Sequence, residues 1–104
     1  MTTTNSPATS ARHHDLAVTL QQIGRMNVLA TSGGRARNIG GELELPVSSG
    51  YTVRVTLAAN DTYTVQRLLR RGVKVWVKGE RSDVHAEELG ETVYVAGCYK
   101  NREL

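Results

Sequence analysis

The segment Lys74-Val75-Trp76-Val77-Lys78 sets the chain's one tryptophan between two lysines, with valines alternating through it. In an extended chain successive side chains point to opposite faces. With Val73, Val75 and Val77 expected in the core, Trp76 stands between Lys74 and Lys78 on the other face. Arg54 and Thr56 join that face if the neighbouring strands are in register, and Arg70 and Arg71 lie at the adjoining turn. An aromatic ring on a basic open sheet can stack a nucleobase while the cations hold phosphates. The competing reading, preferred here, has Trp76 covering a sheet edge or a dimer contact with solvated lysines around it. Either way the candidate binding residues are Arg54, Arg70, Arg71, Lys74, Trp76 and Lys78.

Other residues with chemical potential carry less. Ser32-Gly33-Gly34-Arg35 offers backbone N–H groups to a phosphate, but it lacks the full glycine fingerprint and no helix is expected to follow it. It reads as a turn between strands. His13 and His14 are adjacent, and with only His85 besides they do not make a zinc set. Cys98 has Lys100 alone as a nearby activating cation and reads as a small packed residue. Glu87 and Glu88 are neighbours, so on a helix they diverge. With no nucleophile–base pair in view, the chain reads as non-catalytic, with no cofactor.

The elements that position these residues follow from periodicity. Tyr51, Val53, Val55 and Leu57 alternate with Thr52, Arg54 and Thr56, the period of a strand buried on one side. Asn60-Asp61 supplies turn chemistry, and a second strand starts at Thr62. Val65 to Leu69 breaks alternation, which predicts a bulge near Arg67. Arg70-Arg71-Gly72 is the next hairpin tip, and the third strand bends at Gly79. Upstream, Asp15 to Ile23 predicts a short amphipathic helix capped by Asp15 and ended by Gly24. Met26 to Thr31 is apolar on both faces and predicts a central strand. Arg35 to Gly41 is a loop. Glu42-Leu43-Glu44-Leu45 predicts a strand with its leucines inward, lying at an edge or ending at Pro46. In the last segment Ala86, Leu89, Val93 and Ala96 form one helical stripe, with Asp83 as its cap and Gly97 as its stop. A hairpin strand through Val93-Tyr94-Val95 is the alternative. Gly90 inside that helix costs about 1 kcal/mol against alanine.

At 104 residues the chain is one small domain, and with no Phe its core must be aliphatic. A formal net charge of +3 does not by itself imply nucleic acid. Its distribution is uneven: Arg67, Arg70, Arg71, Lys74, Lys78 and Arg81 precede an acidic run of Asp83, Glu87, Glu88 and Glu91. Cys98 is the single cysteine, so an intramolecular disulfide is excluded. The N-terminus lacks the apolar run of a signal peptide and no segment is long enough to span a bilayer, which predicts a cytoplasmic protein with no membrane partner.

Three blocks of residues carry a resemblance. Leu20-Gln21-Gln22-Ile23-Gly24, Asn27-Val28-Leu29-Ala30 and Ser32-Gly33-Gly34-Arg35 form the first. Val53-Arg54-Val55-Thr56-Leu57, Asn60 to Val65 and Trp76-Val77-Lys78-Gly79-Glu80 form the second, and Asp83 to Leu89 the third. Together they resemble small uncharacterised proteins encoded by phages and mobile elements of actinobacteria, over roughly Asp15 to Tyr99. The resemblance implies a source, hence a host-cell cytoplasm, and a helix–sheet–helix order; it implies no activity.

The expected fold is α+β: a single antiparallel meander of about five strands, with a short N-terminal helix and a C-terminal helix on one face. Residues 1–12 are expected to be a disordered tail and 13–104 the single domain. The expected function is a non-catalytic accessory protein that binds a protein partner or itself, with nucleic-acid binding through the basic aromatic face as the alternative.

Overall fold

The computed structural model describes residues 16–40, 42–100 and 104; the expected tail, His13, His14 and the Asp15 cap lie outside these. The chain runs α1 (Leu16–Ile23), α2 (Arg25–Ser32), β1 (Arg37–Ile39), β2 (Glu42–Pro46), β3 (Tyr51–Leu57), β4 (Tyr63–Arg71), β5 (Lys74–Val84) and α3 (Ala86–Gly97). The five strands form one antiparallel sheet in the order β1-β2-β3-β4-β5, so the α+β meander is as expected. No helix among the described residues is long and apolar enough to cross a membrane.

Parity holds where a helix covers the sheet. Leu43 and Leu45 of β2, Val53 and Val55 of β3 and Val65 of β4 are fully buried, in one cluster with Ile23 of α1, Val28 of α2 and Leu89, Val93 and Ala96 of α3. Each such side chain contributes roughly 1.5–3 kcal/mol relative to exposure. α3 is the helix that the Ala86–Ala96 stripe predicted. Its N-cap is His85, whose N–H donates to Glu88 Oε1 at 3.2 Å. Asp83, the expected cap, instead lies in β5 with φ 56°.

The expected strand Met26–Thr31 is helical instead. Gly24, at φ 95°, turns the chain out of α1, and its carbonyl accepts from the Val28 N–H at 3.0 Å to start α2. The buried positions are Val28, Thr31 and Ser32, which is helical spacing, while Met26 and Leu29 stay exposed. Their apolarity gave the look of a two-sided strand. Gly33 then adopts the left-handed conformation (φ 66°), and N–H groups at the end of α2 reach the Leu29 and Val28 carbonyls. The expected turn between strands is therefore a helix C-cap.

The sheet margin brings one smaller correction and one expectation met. The expected loop Arg35–Gly41 contains the short strand β1. β2 does end at Pro46, but it is an inner strand: β1 covers only Glu42 to Glu44, leaving Pro46 paired to Thr52 alone.

Gly90 has a structural reason to sit inside α3. A Cβ there would lie 2.4 Å from the Ile23 carbonyl oxygen and 2.7 Å from Asn27 Nδ2, so only glycine admits the α1–α2 corner this closely.

Candidate functional site

Residues paired directly across neighbouring strands share a face, which sorts the basic residues. β3 and β4 pair without interruption from Tyr51↔Leu69 to Leu57↔Tyr63. β4 and β5 do not. Leu68 pairs with Val77 but Arg67 pairs with Gly79, so Lys78 is an extra residue on β5. A second shift lies between the Val65↔Arg81 and Tyr63↔Val84 pairs, again with the surplus on β5. The irregularity expected near Arg67 is there, with its extra residue on the partner strand.

The bulge reverses the faces of the first half of β5. Tyr51, Leu69 and Trp76 form one row on the helix side of the sheet, and Arg71 with Lys74 forms the next. Thr52, Leu68 and Val77 form a row on the opposite side, as do Arg70 and Val75. Trp76 therefore does not share a face with Arg54 and Thr56. The valines expected in the core are exposed: Val73 by 99%, Val75 by 48% and Val77 by 55%, with Trp76 at 42%. The cause is twofold. The face is reversed, and β5 is the outer strand of the sheet, so cover that reaches Leu68 and Tyr51 on the inner strands leaves Val75, Trp76 and Val77 about half exposed.

On the face opposite the helices, Arg54 and Arg70 are committed elsewhere. Both converge on Glu44, whose side chain is fully buried. Arg54 Nη2 donates to Glu44 Oε2 at 2.8 Å and Arg70 Nη2 donates to the same oxygen at 3.1 Å. Arg37 Nη2 stands 3.6 Å from Oε1. Arg54 also lies 3.5 Å from Glu42, which accepts a hydrogen bond from Thr56 at 3.1 Å. Burial alone would raise the Glu44 pKa, but the hydrogen bonds and charges of Arg54 and Arg70 outweigh it and hold the carboxyl below its ordinary value.

Arg67 is also spent, on the helix side. It is buried, and its Nε donates to the Ala96 carbonyl at 2.8 Å while Nη2 donates to those of Val95 at 2.9 Å and Cys98 at 3.2 Å. These carbonyls lie at the C-terminal end of α3 and its cap, where the negative end of the helix dipole falls; that of Val95 also accepts from the Cys98 N–H. Desolvation lowers the Arg67 pKa from its ordinary value.

Of the six expected binding residues, the structure groups Arg71, Lys74 and Trp76 on one face of the hairpin, with Lys78 at the adjacent bulge. It places Arg54 and Arg70 on the other face as partners of Glu44. No ion pair among the described residues neutralises Arg71, Lys74 or Lys78. Sequence reasoning missed Glu44; the signal lay in the register that sets Glu44 opposite Arg54. A separate cavity of about 600 Å³ opens between α1 and α2, lined mainly by Leu20, Val28, Leu29 and Ala36, with Gln21 and Arg25 as its polar members.

No protein-family model, curated protein or solved structure matches the chain.

Proposed function

We propose that this is a non-catalytic accessory protein, of phage or mobile-element origin and acting in the host cytoplasm, that binds another protein chain along β5. The observation that carries the reading is the exposure of Val75, Trp76 and Val77 on a strand that has no outer neighbour among the described residues. An edge strand presents unpaired N–H and C=O groups, and proteins ordinarily guard such edges with shortness, charge or bulges. β1, the other edge, is guarded by having three residues. β5 has eleven residues and is guarded by bulges only from Lys78 onward. Val75 to Val77 stays regular, apolar and open between the charges of Lys74 and Lys78, a stretch that an added strand can pair with. The added strand would supply the missing ladder and cover apolar side chains on both faces.

The test is selection from a library of displayed random peptides, followed by hydrogen exchange on the complex. The reading expects binders that slow exchange at Lys74 to Val77 and that Trp76→Ala weakens far more than it weakens folding. Binders that protect another segment, or no binders at all, would sink it.

One observation supports a second reading, nucleic-acid binding: Arg71, Lys74 and Trp76 share a face. It expects Trp76 emission to respond to a single-stranded oligonucleotide, with affinity falling steeply between about 50 and 200 mM salt.

A further inference from the structure

We infer that the strand this edge accepts is acidic, with a carboxylate beside Lys74 and apolar residues beside Val75, Trp76 and Val77. The inference rests on the reading of β5 as a docking edge and goes on to state the chemistry of its partner.

Charge complementarity carries it. Thr62 to Gly79 contains five cations and no Asp or Glu. Arg67 is spent on the α3 carbonyls and Arg70 on Glu44. Arg71, Lys74 and Lys78 remain, uncompensated by any ion pair among the described residues, around the longest regular stretch of the β5 edge. Arg71 and Lys74 are moreover a direct cross-strand pair. Like charges so placed repel. A third strand extends each row by one residue. The row Arg71–Lys74 continues into the partner residue beside Lys74, where a carboxylate turns repulsion into an ion pair. The row Tyr51–Leu69–Trp76 continues into the residue two positions along the partner, where an apolar or aromatic side chain covers the indole. The row Leu68–Val77 on the other face continues likewise into an apolar residue.

Two other occupants fit less well. A second copy of the chain brings three more uncompensated cations against these three. A nucleic acid matches the charge, but it brings no peptide ladder for the edge, and it leaves Val75 and Val77 bare on a face that also carries Glu80.

The probe is a capped peptide of about eight residues that alternates glutamate and valine around a central tyrosine. Its counterpart has lysine for each glutamate. Trp76 is the only tryptophan, so its emission reports on this site alone. The glutamate peptide should bind at least tenfold tighter than the lysine peptide at low salt, the gap narrowing as salt rises. The double variant Lys74→Glu, Lys78→Glu alters two exposed side chains and should invert the preference. Equal binding of both peptides at β5 would overturn the acidic partner and leave the docking edge standing. A concentration-dependent dimer through β5 that ignores both peptides would overturn it in favour of a second copy. A response to an oligonucleotide alone would overturn both the inference and the reading beneath it.

Discussion

Glu44 is a fully buried carboxylate on the sheet face opposite the helices, held by three arginines from three strands. Its pKa lies below the ordinary value because Arg54 and Arg70 outweigh the cost of burial. The sign follows from linkage: a depressed carboxyl stabilises the fold above its unfolded pKa, and that contribution drains away as pH falls through the folded pKa. Glu44→Gln should therefore cost about 1–3 kcal/mol at neutral pH, since it strands partly covered arginines. It should also flatten the acid limb of stability against pH. Thermal midpoints of both proteins from neutral pH down through the carboxylate range would check this; parallel curves would show that Glu44 contributes no pH dependence.

At the scale of elements, the crossing of α3 over the α1–α2 corner depends on a missing side chain. Alanine is the better helix former by about 1 kcal/mol, so propensity alone predicts that Gly90→Ala stabilises. The structure predicts the opposite. The added methyl would meet backbone oxygen at 2.4 Å, and backbone cannot swing aside as a side-chain tip can. Overpacking of this kind costs about 1–3 kcal/mol, enough to offset the propensity gain and leave a net loss. Chemical denaturation decides the sign. Leu89, one residue away and fully buried against the sheet, should lose about 2–5 kcal/mol as Leu89→Ala. A near-zero change there would remove the helix–sheet core as the source of stability.

At the scale of the molecule, the helices cover one part of the sheet and leave Val73 to Val77 of the β4–β5 hairpin half to fully exposed. Trp76 should then be reached by a soluble quencher in the monomer and shielded once a partner strand binds. A tryptophan unreachable in a proven monomer would remove the exposed surface on which both binding readings stand. The division between sequence and tertiary structure follows the same line. Alternation in Tyr51–Leu57 determined β3, because it matches one local period; the stripe through Leu89 and Val93 pointed to α3 but left a strand through Val93–Val95 open, and burial of Leu89, Val93 and Ala96 together decided for the helix. Met26–Thr31 carried no such decision: its apolar residues fit either period, and the contacts of Val28, Thr31 and Ser32 made it a helix. The binding residues were legible as types but not as a surface. One extra residue, Lys78, moves Trp76 to the opposite face from Arg54, and the β2–β3 register hands Arg54 to Glu44. Periodicity records which side chains alternate along one strand; which ones meet across strands is set by register, and only the assembled sheet fixes that.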